Sequence, residues 1–471
     1  MDVTLFTTFL QWLLTLLTTC VILLCGFFYH KYSYWKRRGV PYEKPFLFFG
    51  NLSFVLRESF WDFCYKMKTK HPRDYVGIFL AWQPALLVQT PELARRVIVK
   101  DHDYFQDRFL YSRKSDSLGS LNLFTLKNPL WSHMRKHITP MFTSARLKNY
   151  TKLMNQNATQ LVQKIQRDYI DAKKHVDLKE LFSMYTSDTV AYTVFGIRVS
   201  ALNAQKSPLW YMTSHMVKWT FWRGFEFTMI FFVPAVTALM SNFLERPRKS
   251  LTKIEGNFKT SKLGDNLMLA QAAVFILGSI ETSSTILSYT LHELAYHPEA
   301  QDKLYFEIKE AINAHGKDIL DYDELLELKY LSACIHETMR KHPPVPYLDR
   351  ICTSKYKLND ELTIEKGTPV FLNILAIHHD EKIFPEPEKW RPERMNASSD
   401  NDNLNFTFLP FGEGPRFCIG KRYGLLQVRT ALAQIIVNYR IEPAMPYKIR
   451  TDPYSVLLSP ENGGSVKFVA R

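Results

Sequence analysis

A single loop gathers residue types that could do metal chemistry. It reads Phe411-Gly412-Glu413-Gly414-Pro415-Arg416-Phe417-Cys418-Ile419-Gly420. Its glycines let the backbone turn tightly and approach a flat ligand without a Cβ in the way. Lys421 to Val437 then reads as a helix. A thiol just before a helix N-terminus sees the positive end of the helix dipole, which is expected to lower its pKa. The thiolate so formed can be an axial metal ligand. An isolated cysteine is more often a small buried hydrophobe. The glycines and Arg416 at fixed spacing around Cys418 weigh against that reading. The other cysteines (Cys20, Cys25, Cys64, Cys334 and Cys352) are scattered, without paired spacing. No disulfide framework is implied, so the globular part suits a reducing compartment.

Three further constellations stand elsewhere in the chain. Trp131 and Arg135 share one helix face at i, i+4. There an indole N–H and a guanidinium can both donate to one carboxylate. Gly278-Ser279-Ile280-Glu281-Thr282 lies inside a long, mostly apolar stretch. Glycine in a helix interior costs about 1 kcal/mol relative to alanine. Thr282 can bond back to the preceding turn and loosen the ladder. Together they can open a small polar gap in a buried helix. Glu337 and Arg340 pair at i, i+3, which on a surface contributes only a few tenths of a kcal/mol. About fifty residues on, Trp390-Arg391-Pro392-Glu393-Arg394 offers a second arginine.

The loop spacing F-x-x-G-x-R-x-C-x-G resembles the haem-binding loop of the cytochrome P450 family. The other constellations are similar to motifs of the same family. Gly278 to Thr282 resembles A-G-x-E-T, with Gly278 for Ala and Ser279 for Gly. Pro392-Glu393-Arg394-Met395 resembles P-E-R-F, with Met395 for Phe. The resemblance implies a mainly α fold with small β-sheets, the helix-rich triangular prism of that family, around a buried haem b. It implies Cys418 thiolate as the iron ligand and Phe411, Arg416 and Gly420 as its supporting loop. Arg108, Trp131, Arg135, Arg350 and Arg416 would hold the propionates. Glu281 and Thr282 would relay protons toward bound dioxygen, with the Ser279 hydroxyl altering that delivery. Glu337, Arg340 and Arg394 would form a buried structural triad. The implied reaction inserts one atom of O2 into an apolar small molecule. Electrons would come from NADPH through NADPH–cytochrome P450 reductase, with cytochrome b5 as a second donor. The run Phe384-Pro385-Glu386-Pro387-Glu388 looks most like insect microsomal enzymes that detoxify xenobiotics.

These residues need elements to position them. At 471 residues the chain could hold two or three average domains or one large one. The net charge of +14 suits nucleic acid, anionic lipid or an acidic protein. No nucleic-acid motif appears, so lipid and an acidic redox partner are expected. Lys127, Lys136, Lys421 and Arg422 would form the docking face. Leu5 to Phe28 carries no formal charge. As a helix it spans about 36 Å, enough for a hydrocarbon core of about 30 Å. Asp2 replaces the basic start of a signal peptide, and no small-residue cleavage site follows. Basic residues from His30 to Arg38 follow the run, which places the body on the cytosolic side. Tyr29, Tyr32, Tyr34 and Trp35 suit the membrane interface. The expected organisation is an anchor over 1–30, a basic Pro-containing linker over 31–45 and a catalytic domain over 46–471. The resemblance places the anchor in the endoplasmic reticulum membrane.

Helices are expected over Phe60–Lys70, Pro91–Ile98, Leu147–Asp171 and Leu178–Phe195. Short strands are expected at Tyr75–Leu80 and Ala85–Gln89, joined by a Gln83-Pro84 turn, and a pair within Thr363–Leu375. The aromatic stretch Met212–Phe232 would roof a substrate pocket, and Val456–Pro460 would line it. A central helix of about 48 Å would run from Asn266 to His297, capped by Asp265 and ended by Pro298. Between Pro234 and Asn266 the chain lacks roughly a helix pair that the family usually carries. Two rivals follow: a haem protein without oxygenase activity, and an inactive anchored relative.

Overall fold

The computed structural model describes residues 3–52, 58–112, 116–203, 210, 219–234, 263–396 and 406–471. The short stretch before the central helix falls almost wholly outside the described residues. So does 212–218 of the aromatic stretch.

The chain opens with α1 (Val3–Tyr32), an apolar helix whose side chains are almost all exposed from Phe6 to Phe27. It is long and apolar enough to cross a membrane. Trp35 does not sit at a membrane interface as expected. It is 1% exposed, and its indole donates to Ile78 O at 3.1 Å. Its ring lies over Gly77, where any Cβ would clash. Burying an indole that also satisfies its N–H outweighs interfacial placement. Residues 41–43 pair with the same strand, through Gly77 N to Pro41 O and Glu43 N to Gly77 O.

Next come α2 (Phe60–Lys70), β1 (Tyr75–Leu80), β2 (Gln83–Val88) and α3 (Pro91–Arg95). Ser59 caps α2 by accepting from Asp62 N. The β1–β2 turn is Ala81-Trp82, not Gln83-Pro84, because Leu80 pairs with Gln83. Ala81 supplies the positive φ of 52° that such a tight hairpin needs. Beyond α3 the helix widens into a π-turn to Lys100.

The helical body contains α4 (Ser117–Ser120), α5 (Leu130–Ile138), α6 (Ser144–Lys164), α7 (Leu178–Phe195) and α8 (Phe221–Phe232). Then comes the central helix α9 (Leu263–Tyr296). It begins before Asp265, so that residue lies within the helix and does not cap it. It stops at Tyr296, one residue short of the expected end, because Pro298 opens α10 (Pro298–His315). α9 passes the length test for a membrane span, but α4, α7 and α10 pack on it. From Ser283 to Ala295 every residue is buried. It is a core helix, as expected.

α11 (Tyr322–Glu327) and α12 (Lys329–Lys341) lead to β3 (Tyr347–Ile351), β4 (Tyr356–Lys357), β5 (Thr363–Ile364) and β6 (Pro369–Asn373). The expected pairing within Thr363–Leu375 does not form. β5 pairs with β4, while β6 joins the sheet ordered β1-β2-β6-β3. A fully buried strand with two sheet neighbours satisfies more backbone than a local hairpin. After α13 (Ile374–His378) and α14 (Glu393–Asn396) come α15 (Lys421–Asn438) and a final pair, β7 (Tyr439–Pro443) and β8 (Val466–Ala470). The main core lies where α6, α7, α9, α12 and α15 meet.

Candidate active site

The Cys418 loop is set by backbone geometry. Gly414 has φ of 72°, and a Cβ there would stand 2.0 Å from Ile98 O. Only glycine allows that approach. Phe417 N donates to Gly414 O at 3.1 Å, and Cys418 N to Phe411 O at 2.9 Å. Gly420 then caps α15. α15 reaches α9 where Gly424 meets Ser283, and Ile419 packs beside Phe275 of α9 and Trp131 of α5. The helix that follows Cys418 is thereby packed on the central helix.

The thiol differs from expectation. Burial pushes it up, and this outweighs the Gly420 N–H, Arg135, Arg108 and Lys421, which all pull it down. The side chain is exposed, yet enough protein surrounds it that desolvation dominates. The helix terminus alone does not make a thiolate here. A metal cation at the sulfur would, because a coordinating thiol is deprotonated outright.

Around it stands a cluster of cations. Arg108 pairs with Asp349 at 2.9 Å. Arg416 donates to Gln106 O, Leu126 O and Asp107 Oδ1, and stacks on Trp131 at 4.2 Å. Arg135 stacks on Phe417 at 4.6 Å. Arg350 donates to Asp349 O, but its Nε is buried without a hydrogen-bond partner among the described residues. Burial, then Arg108, push Arg350 down to about 9. Burial and Arg108 likewise push Arg416 down to about 10. Asp349 is held low, since Arg108, Arg350 and Phe109 N–H outweigh its burial. Four arginines thus face two aspartates, Asp107 and Asp349. The site is short of negative charge and has an orphaned guanidinium nitrogen. Both features suit a ligand carrying carboxylates.

Lys127 departs from its expected place on an exposed docking face. It turns inward to donate to Arg108 O and Leu110 O, and burial pushes it down to about 8. Lys136, Lys421 and Arg422 are exposed.

On α9, Gly278 is exposed, and a Cβ there would meet nothing within 4 Å among the described residues. Thr282 donates back to Gly278 O at 2.7 Å. Ser279 turns toward α15, with its Oγ 3.4 Å from Gln427 Oε1. Glu281 points elsewhere, toward α7. Its Oε1 lies 3.0 Å from Nζ of Lys179, a buried lysine that sequence reading missed. The one sequence signal was Lys179's place just after Asp177, the cap of α7. Asp349 and Asp107 were missed as well.

Behind the loop the structure brings Glu337, Arg340 and Arg394 together. Arg340 grips Glu337 with two bonds of 2.8 Å, and both are 0% exposed. Arg394 Nε reaches Glu337 Oε1 at 3.0 Å. Arg340 also holds His378 O and Pro387 O, tying α12 to the chain that leads into the cysteine loop.

The cytochrome P450 family profile matches residues 40–255 and 237–468, and the chain belongs to that family of haem-thiolate monooxygenases. Among curated relatives, cytochrome P450 6k1 of Blattella germanica is 30% identical over 97% of this chain and 96% of its own length. Cytochrome P450 6j1 of the same insect is 33% identical over 93% and 94%. Probable cytochrome P450 6d5 of Drosophila melanogaster is 31% identical over 96% and 98%. The first alignment runs over 513 positions, more than the 471 residues of this chain, so that relative carries residues this chain lacks.

Proposed function

We propose that this chain is a microsomal detoxification enzyme. It inserts one atom of O2 into apolar xenobiotics such as plant toxins and insecticides. The carrying observation is the Cys418 loop, with Arg135 and Arg108 close enough to pull its thiol down, and the neighbouring cluster in which Arg350 Nε is buried without a hydrogen-bond partner among the described residues. Bound haem supplies dioxygen activation, and the thiolate strengthens it. Cys418 would hold the iron, supported by Phe411 and Gly420. Arg350, with its free Nε, and Arg108, Arg135 and Trp131 would hold the propionates. Arg416, whose nitrogens already hold protein acceptors, would brace the loop from below. Thr282 would hold a proton at Oγ1 for the oxygen site, with Glu281 feeding it from solvent.

Residues 1–30 would anchor the chain in the endoplasmic reticulum membrane, with 31–45 linking to a cytosolic domain over 46–471. The aromatic side of α8 packs with Phe109 and Val456 into one cluster, an apolar roof that suits membrane-dissolved substrates. The residues placed in the site all lie outside 235–262, which favours an active enzyme over an inactive relative.

Membranes holding this chain and NADPH–cytochrome P450 reductase should oxidise lipophilic toxins in an NADPH- and O2-dependent way. No product across a broad lipophilic panel, despite intact haem, would favour a non-oxygenase. Reductase and cytochrome b5 would dock on the exposed Lys136, Lys421 and Arg422. Reversing these three to Glu should cut reductase-driven turnover about tenfold or more and weaken its salt dependence. Unchanged turnover would move docking elsewhere.

A further inference from the structure

We propose that His378 is a positioning residue whose ring nitrogen holds the entrance of the Cys418 loop and so keeps the thiolate on the iron. The inference rests on the reading of Cys418 as the iron ligand.

His378 ends α13 and is 0% exposed. Its Nε2 accepts from Leu409 N at 2.8 Å. A backbone N–H can only donate, so Nε2 carries no proton and the ring's one N–H sits at Nδ1. Burial, and then Arg340, push His378 down to about 3, which keeps the ring neutral. Its Nδ1 is buried without a hydrogen-bond partner among the described residues. The ring also stacks on Phe408, with centroids 5.5 Å apart at 28°. For that packing alone phenylalanine would serve better, because it leaves no polar atom unpaired in the core. What the histidine adds is an acceptor for Leu409, which is 1% exposed and whose N–H would otherwise be buried unpaired. The next bonds run to the cysteine. Leu409 O accepts from Gly412 N at 3.0 Å, and Phe411 O accepts from Cys418 N at 2.9 Å. Between them Pro410 has a fixed φ and restricts Leu409 as well, so this stretch passes a displacement on and does not absorb it. The other end is firm. His378 O accepts from Arg340 at 2.9 Å, and Arg340 is held by Glu337. The Glu337–Arg340 pair thus reaches the Cys418 loop through one imidazole.

The test compares H378F, H378Q and H378N with the native protein as purified, haem-loaded full chains. It measures haem per chain and the carbon monoxide difference band of the reduced protein. It then follows the rate at which the red-shifted band converts to the neutral-ligand position on mild warming. Glutamine places Oε1 where histidine has Nε2, so it can still accept from Leu409. Asparagine reaches only as far as Nδ1. Phenylalanine keeps the ring and its stacking but accepts nothing. H378F and H378N should convert about fivefold faster or more, as expected when a buried donor loses its acceptor. H378Q should stay within about twofold of the native rate. A packing role would rank the variants by ring, with H378F best, whereas the acceptor role ranks H378Q best. Native-like conversion in H378F, or fast conversion in H378Q, would overturn the role of His378 alone. So would an H378Q that cannot be recovered with haem. A native protein without the red-shifted band would overturn the reading of Cys418 and, with it, the task assigned to His378.

Discussion

Replacing Glu337 with alanine should leave no folded, haem-binding protein at ordinary growth temperature. Glu337 is fully buried and answers two guanidinium groups, Arg340 at 2.8 Å and Arg394 at 3.0 Å, as well as the Arg391 N–H at 3.1 Å. Removing it leaves Arg340 charged in the core. Breaking a buried pair by deleting one partner costs about 3–5 kcal/mol. That is a large share of a typical net stability of about 5–15 kcal/mol. Arg340 also holds two carbonyls of the segment that precedes the cysteine loop, so the damage should reach the haem site. Haem content per unit of expressed protein, with limited proteolysis, would check this. A stable, haem-replete Glu337→Ala would show that the triad is dispensable. Arg394→Ala should be milder, since Arg394 is partly exposed and Arg340 would still answer the carboxylate.

The second large effect belongs to Cys418. Its thiol is pushed up by burial despite Gly420, Arg135 and Arg108, so only a strong partner cation can take the proton's place. In Cys418→Ser the hydroxyl is a far weaker acid, and no neighbour supplies enough extra field. That variant should lose thiolate-type spectra and NADPH-driven oxidation entirely. Because its side chain is exposed, the change itself should cause little strain. Secondary structure should therefore survive, which separates this variant from Glu337→Ala. Retained turnover in Cys418→Ser would remove the cysteine from the chemistry.

Local chemistry was legible where it is written in local sequence. Phe60–Lys70 and Leu178–Phe195 form over the ranges their patterns suggest, each with a side-chain cap, Ser59 and Asp177. The cysteine loop follows from its glycines, because a positive φ and the approach to Ile98 O both require them. Partner choice across the chain was not legible. β5 and β6 lie close in sequence yet enter different sheets, since β2 and β3 arrive from far away to flank β6. Trp35 reads as interfacial until Gly77 offers a flat seat for its ring. Lys127 and Lys179 look like solvated lysines, and only the fold brings carbonyls and hydroxyls around their ammonium groups. The thiol shift failed for the same reason: a helix terminus is visible in sequence, but the mass of protein around Cys418 is not.

The most direct test is the carbon monoxide difference spectrum of reduced membranes carrying the full chain, beside a Cys418→Ala control. The account predicts a strongly red-shifted Soret band in the native protein and none in the control, because only a thiolate pushes enough electron density onto the iron. A band at the position of a neutral ligand, or the same band in the control, would contradict it.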